Sequence, residues 1–277
     1  MGCARWVVPD DGGDAATADA PFERDVSIVP TPHGRVSLDT IPDVGVTRYS
    51  AAFGINAGDI SPGFPCQSGF RCESQIIDGC AVSRWSRDAT VTDTPGISAG
   101  ELSITGVRDR TVDFQLDVMN HYSTPQDDFV VPWQNGAVAH VAATGSAGGA
   151  PAFSVDLPLP GAGVLLTPAG LDVNTPFVVA RTGAADVSWH FDGPSFGATL
   201  SFFQTDNLNQ TILWTICEVA APRTDWSISQ RIVAMYTLAN TGLLTVYETS
   251  RVLTTVGEWS LNIEARREIA EGGVRFH

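Results

Sequence analysis

Short stretches of the chain alternate strictly between apolar and polar residues. The four clearest are 102–105, 112–118, 187–191 and 259–265. Because successive side chains of a strand point to opposite faces, each stretch predicts a strand with one face in a core and the other in water. In the last stretch, Asn262 and Glu264 are therefore expected on the water face. The stretch 211–217 is apolar on both faces, which predicts a central strand covered on both sides.

Turn sequences such as Asn135-Gly136 separate these strands at short intervals. Many short strands without intervening helices of about ten to fifteen residues predict an all-β fold. We expect an antiparallel β-sandwich of the jelly-roll or immunoglobulin-like kind, either single or as two stacked sandwiches. One short helix is expected near 227–238, with Asp225 or Ser227 as its N-cap.

The composition divides the chain into a tail and a body. Residues 10–22 are acidic and small, with almost no large apolar side chains, so they cannot bury enough surface to offset the entropy of ordering. We therefore expect a flexible acidic tether over 1–42 and a β-sandwich body over 43–277. The Gly/Ala/Pro-rich stretch 144–151 is either a boundary between two sandwiches or a long turn within one.

The amino terminus contains a candidate lipidation site. Met1-Gly2-Cys3 resembles the end of a bacterial lipobox, in which a small residue precedes a cysteine that becomes diacylated. The apolar signal that precedes such a cysteine would then lie upstream of residue 1. Ala4 follows the cysteine in place of an aspartate, and by the same resemblance this favours the outer membrane. The expected membrane partner is reached through a lipid on Cys3.

The other four cysteines predict disulfides. They are Cys66, Cys72, Cys80 and Cys217. None is spaced as C-x-x-C, so a zinc ribbon or a thioredoxin-type site is not expected. An even set of this kind predicts two disulfides in an oxidising compartment, and three pairings remain open.

The charge balance excludes one class of partner. The chain carries 31 acidic residues and 16 basic residues, for a formal charge of −15. Such an acidic chain repels phosphate backbones, so nucleic acid is not an expected partner. No run approaches the roughly 18 to 20 apolar residues that a membrane-spanning helix needs.

Five short sequences together resemble a family of secreted proteins, many of them lipoproteins, from myxobacteria and their relatives. They are 78–82, 98–106, 149–154 with Pro158, 180–189, and Cys217. In order along the chain they span about residues 66 to 240. The resemblance implies an extracytoplasmic, β-rich, disulfide-containing protein without an assigned activity. The chain departs from the family near residue 225, where a Gly/Pro-containing turn would precede the helix.

No catalytic residue, metal ligand or cofactor is predicted. Residues 193–197 match G-x-S-x-G, but a nucleophile elbow needs a helix after the serine and the residues that follow have a strand pattern. The five histidines are scattered and form no H-E-x-x-H motif. Trp133 lies in a loop sequence and is the candidate for an exposed aromatic that contacts a ligand.

These observations favour a non-enzymatic surface lipoprotein, on the outer membrane or in the periplasm, that acts as a structural, adhesive or assembly subunit. Self-assembly would use an edge strand such as 258–270. The alternative is a carbohydrate-binding module or a glycan-acting enzyme on a jelly-roll scaffold, with Trp133 contacting a surface glycan.

Overall fold

The computed structural model describes residues 5–6, 32–41, 46–55, 69–90, 95–107, 111–124, 128–129, 133–172, 174–193, 196–205, 211–237 and 241–277. The first ten strands are β1 (Arg5–Trp6), β2 (Pro32–Ile41), β3 (Val46–Ile55), β4 (Phe70–Ile77), β5 (Cys80–Arg87), β6 (Leu102–Thr105), β7 (Val112–Asp113), β8 (Gln115–Leu116), β9 (Tyr122–Ser123) and β10 (Asp128–Phe129). They are followed by β11 (Val138–Ala143), β12 (Phe153–Pro158), β13 (Ala162–Thr167), β14 (Phe177–Val179), β15 (Ala185–Asp192), β16 (Gly197–Thr205), β17 (Thr211–Ala220), β18 (Asp225–Ile228), the helix α1 (Gln230–Val233), β19 (Thr241–Val256) and β20 (Trp259–Phe276).

The strands form one large sheet and two small ones. Within the described residues, the large sheet has thirteen strands in the order β1-β4-β5-β17-β16-β19-β20-β2-β3-β9-β8, with β10 also paired to β3 and β14 to β20. The small sheets have the orders β12-β11-β6-β7 and β13-β15-β18. Most pairs are antiparallel, and β2 joins β20 in parallel.

The longest elements form a hairpin at the centre of the large sheet. β19 has 16 residues and β20 has 18 residues. Val256 pairs with Trp259, so the two strands are joined by a two-residue turn. Gly257 has a φ of 61° in that turn, a conformation that glycine adopts without the steric cost of a side chain. At about 3.3 Å per residue the hairpin is about 50 Å long.

Two separate cores lie between the large sheet and the small sheets. In the first core, the four-stranded sheet packs on β2, β3 and the first half of β20, burying residues such as Leu38 and Ile263. In the second, the three-stranded sheet and α1 pack on β5, β16, β17, β19 and the end of β20, burying residues such as Trp189 and Phe276. The predicted all-β sandwich is therefore confirmed, and the two-sandwich alternative describes this arrangement.

Four of the five predicted strand stretches lie in β6, β15, β17 and β20. The stretch 112–118 differs, because the chain leaves the four-stranded sheet after β7 and joins the large sheet at β8. The expected core position Val118 is 99% exposed. It lies in the turn between β8 and β9, where the N–H of Asn120 donates to the carbonyl of Asp117 at 3.0 Å. The turn, and not the apolar–polar alternation, therefore determines where the side chain of Val118 lies.

The helix predicted near 227–238 is shorter than expected. α1 has four residues, and its N-cap, Ser229, makes no side-chain capping hydrogen bond. The expected caps Asp225 and Ser227 instead belong to β18, opposite Ser188 and Asp186 of β15. Pairing with β15 satisfies their backbone groups in a ladder, which competes with helix formation at the same residues.

Three further expectations about organisation need correction. The predicted tether over 1–42 includes β2, an interior strand of the large sheet, so the ordered body includes residues well before 43. The stretch 144–151 connects β11 to β12, which pair with each other, and is therefore a turn within one sheet. The predicted edge strand 258–270 lies in β20, which pairs with β19 on one side and with β2 on the other.

Candidate functional site

A charge network crosses the face of the large sheet that is turned away from the first core. It comprises Arg35, Asp39, Glu218, Arg251, Glu264 and Arg266. Glu264 alternates with the core residue Ile263 and was expected in water, but it is 0% exposed. The guanidinium of Arg35 donates to its Oε1, and Arg251 Nη2 donates to its Oε2 at 2.9 Å. The long arginine side chains thus replace water around this carboxylate.

The same network links four strands. Arg251 Nη1 donates to Glu218 Oε2 of β17 at 2.5 Å. Arg266 binds Asp39 of β2 with two parallel hydrogen bonds, of 2.6 Å from Nε and 2.8 Å from Nη2. The three arginines face three carboxylates, so the formal charges balance. The network is suited to holding β17, β19, β20 and β2 in register, and it carries no net charge that would attract an ion.

The pKa of Glu264 reflects these contacts. Burial alone would raise it, but the charges of Arg35, Arg266 and Arg251 outweigh burial and lower the pKa to about 2. The group is therefore ionised at neutral pH and acts as the anionic centre of the network.

A second buried carboxylate lies on the opposite side of the hairpin. Glu248 is 0% exposed and follows the core positions Leu244 and Val246 along β19. A Cβ placed on Gly161, in the link between β12 and β13, would lie 3.5 Å from Glu248 Oε2. The backbone N–H groups of Gly161 and Phe196 act on the carboxylate, but among the described residues neither carboxylate oxygen accepts a hydrogen bond of full geometry. Glu248 therefore occupies the junction where the chain passes from one sandwich to the other.

Burial raises the pKa of Glu248 to about 7. The backbone at Gly161 and Phe196 and the charge of Arg267 oppose this rise, while Asp192 adds to it. Arg267 is directed partly elsewhere, since its Nη1 donates to Asn135 Oδ1 at 2.9 Å. A carboxyl group that is protonated near neutral pH can act as a general acid, but a fully buried one has no access to substrate in this state. We assign it a structural, pH-dependent role.

A third cluster is exposed and has a different chemistry. On the outer face of the four-stranded sheet, His140 Nδ1 lies 2.8 Å from Asp156 Oδ1. On the other side of the same ring, Nε2 lies 3.1 Å from the Oγ of Ser154. His140 lies directly opposite Asp156 on the neighbouring strand, and Ser154 lies two residues before Asp156 on the same face. We call these three residues the Ser154 triad.

The predicted site residues fall into two groups. Cys3 and Cys66 lie outside the described residues. Cys80 and Cys217 form a disulfide between β5 and β17, and Cys72 is also disulfide-bonded. The prediction that cysteines of the body form disulfides is confirmed for Cys80 and Cys217. Disulfides of this kind indicate an oxidising environment.

Trp133 is not an exposed aromatic, and that prediction is wrong. The residue is 2% exposed and belongs to the first core. Its indole N–H donates to the carbonyl of Pro160 at 2.7 Å, which satisfies the polar end of a buried tryptophan. The loop sequence around it gave no sign that the four-stranded sheet would cover the ring. A sugar has no ring face to stack on at this position.

The G-x-S-x-G match at 193–197 connects two strands. Gly193 follows β15 and Gly197 begins β16, and these strands belong to different sheets. Pro194 and Ser195 lie outside the described residues. A strand follows the motif where a nucleophile elbow requires a helix, in agreement with the interpretation as a turn.

Sequence reasoning missed Glu248, Glu264 and the Ser154 triad. A charged residue on the apolar side of a strand, as at Glu248, is a visible signal. The triad had no signal, because the strand register that places His140 opposite Asp156 depends on which strands pair. Among the described residues, no group of three side chains is arranged to hold a metal ion, and no helix is long and apolar enough to cross a membrane.

These features define a β-sandwich protein with two cores, one shared hairpin and a buried disulfide. No family model and no curated protein matches the chain. Among solved structures, the FN1–FN3 domains of chicken CNTN1 are similar over 76% of this chain, with 14% identity and a TM-score of 0.20. This chain covers 66% of that chain's length. At this TM-score the likeness carries no argument, so the fold assignment rests on the sheets and cores described above.

Proposed function

We propose that the chain is a structural, adhesive or assembly subunit that works outside the cytoplasm, anchored to a membrane by a lipid on Cys3. The Cys80–Cys217 disulfide supports an oxidising compartment. The anchor and the resemblance to myxobacterial secreted lipoproteins rest on sequence, and both are part of the proposal. The glycan-binding alternative is not favoured, because its proposed contact Trp133 is buried.

The observation that carries an assembly role is the open edge of β13. Among the described residues, this strand pairs with β15 alone, and it contains no charged residue and no proline. Val164 and Leu166 are 50% and 54% exposed on its outer side. Proteins usually protect such edges with charges, prolines or short strands. The edge of β12 has Asp156 and Pro158, and the edge strand β18 has four residues with Asp225 at its start.

The backbone of β13 is oriented for pairing. The N–H of Trp189 donates to the carbonyl of Thr224, on the β18 side. Trp189 therefore directs its backbone groups away from β13, and Leu165 lies opposite Trp189 in the ladder. Leu165 must then direct its own N–H and carbonyl away from β15. Because these directions alternate along a strand, Gly163 also directs its N–H and carbonyl away from β15. Among the described residues, no backbone hydrogen bond outside the strand ladders involves either of them.

The partner that fits this edge is a second copy of the chain. In a chain of charge −15, an uncharged strand is the place where two copies approach with the least repulsion. Antiparallel pairing about a two-fold axis at Val164 would bond Gly163 of each copy to Leu165 of the other. The two Val164 side chains would then meet in a non-hydrogen-bonded pair, with Cα atoms about 4.5 Å apart.

Sedimentation velocity over a range of concentrations tests this assembly. We expect a reversible dimer whose dissociation constant rises at least about tenfold in Val164→Lys, because two ammonium groups would oppose each other on the axis. Val138→Lys is the matched control, since Val138 is 49% exposed but lies on the interior strand β11. A chain that stays monomeric, or a dimer weakened equally by both variants, would contradict the proposal.

Cross-linking and mass spectrometry give independent readouts. Val164→Cys should form an intermolecular disulfide under mild oxidation, because the expected Cα distance is within the range of disulfides, whereas Val138→Cys should not. The anchor is tested on protein isolated from its native membrane fraction. A diacylated Cys3 is expected there, and an unmodified Cys3 would remove the anchor while leaving the dimer unaffected.

A further inference from the structure

We propose that Ser154 is an activated nucleophile that hydrolyses small carboxylic esters presented from solvent, with His140 as its general base. No motif in the sequence indicates this activity, and it goes beyond the structural role proposed above. It rests on the hydrogen-bonded connection of Ser154, His140 and Asp156 on adjacent strands.

The connection has the atom order that nucleophilic catalysis needs. Asp156 Oδ1 accepts from Nδ1 of His140 at 2.8 Å, and in the neutral imidazole this bond selects the tautomer whose Nε2 carries no proton. Nε2 can then accept the proton of Ser154 Oγ, which lies 3.1 Å away. Such a serine, base and orienting carboxylate is recognised by geometry and roles, whatever the fold and the order along the chain.

The strand register explains why the three side chains meet. The N–H of Leu159 donates to the carbonyl of Ala137 at 2.8 Å, so this opposed pair is hydrogen-bonded. Because hydrogen-bonded and non-hydrogen-bonded pairs alternate along an antiparallel ladder, His140 and Asp156 form a non-hydrogen-bonded pair. Side chains are closest in such pairs, and this brings the imidazole to the carboxylate.

The same register leaves a backbone donor beside the nucleophile. Phe153, Val155 and Leu157 direct their N–H groups to β11, so Ser154 and Asp156 direct theirs to the open edge of β12. Among the described residues, no backbone hydrogen bond outside the ladders involves the N–H of Ser154. A nucleophile's own N–H commonly stabilises the oxyanion in acyl transfer. The residue that would carry the acyl group therefore has an N–H that the β11–β12 ladder does not use.

Exposure sets the substrate class. The side chains of His140 and Asp156 are 48% and 74% exposed, so an ester on a small molecule or at the end of a flexible chain reaches them directly. Ser154 Oγ attacks the carbonyl carbon while its proton passes to His140 Nε2. The bond to the alcohol then breaks, and the alcohol leaves with that proton. Water, deprotonated by the same Nε2, releases the carboxylic acid and restores Ser154.

Hydrolysis of p-nitrophenyl acetate by the purified full chain tests the proposal. We expect Ser154→Ala and His140→Gln each to lower the protein-dependent rate by about a hundredfold, the usual contribution of a positioned base. Ser103→Ala is the matched control, because Ser103 lies on the same face of the sheet, opposite Ala142, and should keep the full rate. Asp156 is a positioning residue, so Asp156→Asn should lower kcat and leave KM unchanged.

Covalent labelling identifies the nucleophile directly. A fluorophosphonate probe followed by peptide mass spectrometry should modify Ser154 in the native chain and leave it unmodified in His140→Gln. All substituted positions except Ser103 are exposed, and circular dichroism verifies that each variant is folded. A native rate no higher than that of Ser154→Ala, or labelling of Ser154 that persists in His140→Gln, would overturn the proposal. Neither result bears on β13 pairing or on the anchor.

Discussion

Replacing Glu248 by glutamine should make the protein more stable at mildly alkaline pH. Glutamine has nearly the same shape as a protonated glutamate and stays neutral at every pH. Glu248 is fully buried, and its carboxylate oxygens accept no hydrogen bond of full geometry among the described residues, so the backbone at Gly161 and Phe196 and the charge of Arg267 offset its burial only in part. The wild-type protein must therefore either keep a proton on Glu248 or bury a charge that is only partly compensated.

The size and sign of the effect follow from the pKa values. Glu248 titrates at an ordinary value of 4.5 when unperturbed and at about 7 in the folded protein. Between these values the folded state binds more protons than the unfolded state. The stabilisation is thus fully present below pH 4.5 and is lost as the pH rises through 7. The shift corresponds to about 3 kcal/mol, which we reduce to about 2 kcal/mol because the neighbouring Arg267 is only half-buried.

Urea unfolding at pH 5 and pH 8 measures this difference. At pH 5 we expect Glu248→Gln and wild type to agree within about 1 kcal/mol. At pH 8 the variant should be more stable by about 2 kcal/mol. Glu258→Gln is the control, because Glu258 is exposed in the turn between β19 and β20, and it should show no such pH dependence. Equal destabilisation of Glu248→Gln at both pH values would refute the reasoning.

Three further substitutions test the packing and the cross-links by chemical or thermal denaturation. Glu264→Gln should lower the free energy of unfolding by about 3–5 kcal/mol at pH 7, because it leaves buried arginines without their central anion. This loss should shrink as the pH falls from 4.5 to 2, where the wild-type protein loses the same charge. A loss that does not depend on pH would contradict this explanation. Replacing Cys80 and Cys217 together by serine should cost about 2–4 kcal/mol, and unchanged stability would show that the disulfide contributes nothing. Gly34→Ala should cost about 1–3 kcal/mol, because its Cβ would overlap a neighbouring aromatic ring, whereas Gly54→Ala, with nothing within 4 Å, should not.

Alternation along single strands predicted the fold class because it depends only on local residues. The stretch 259–265 lies in β20, with Leu261 and Ile263 in the first core, as its pattern requires. The alternation did not reveal what covers the other face of that strand. Asn262 and Glu264 are buried there because arginines from strands remote in sequence, Arg35 among them, lie over them. Such a contact depends on strand order, which a local pattern does not contain.

The candidate sites were less predictable than the fold for the same reason. Ser154, His140 and Asp156 are ordinary residues of exposed strands until β11 and β12 pair in one particular register. A shift of that register by one residue would move His140 to the opposite face relative to Asp156. Trp133 was predicted to contact a ligand because it lies in a loop sequence. In the structure the four-stranded sheet covers its ring, and Trp133 belongs to the first core.

Glu248 and Glu264 show why charge on a strand cannot be interpreted from its position alone. Both are fully buried glutamates on one hairpin, yet burial raises the pKa of Glu248 to about 7 while arginines lower that of Glu264 to about 2. The two pKa values differ because different groups lie over the two faces of the hairpin. Three guanidinium groups surround Glu264, whereas at Glu248 burial outweighs the charge of Arg267 and the backbone at Gly161 and Phe196. Acid below pH 4.5 therefore weakens the network on one face of the hairpin, and a rise in pH from 4.5 through 7 weakens the junction on the other, so the hairpin that joins the two cores is held most firmly near pH 4.5.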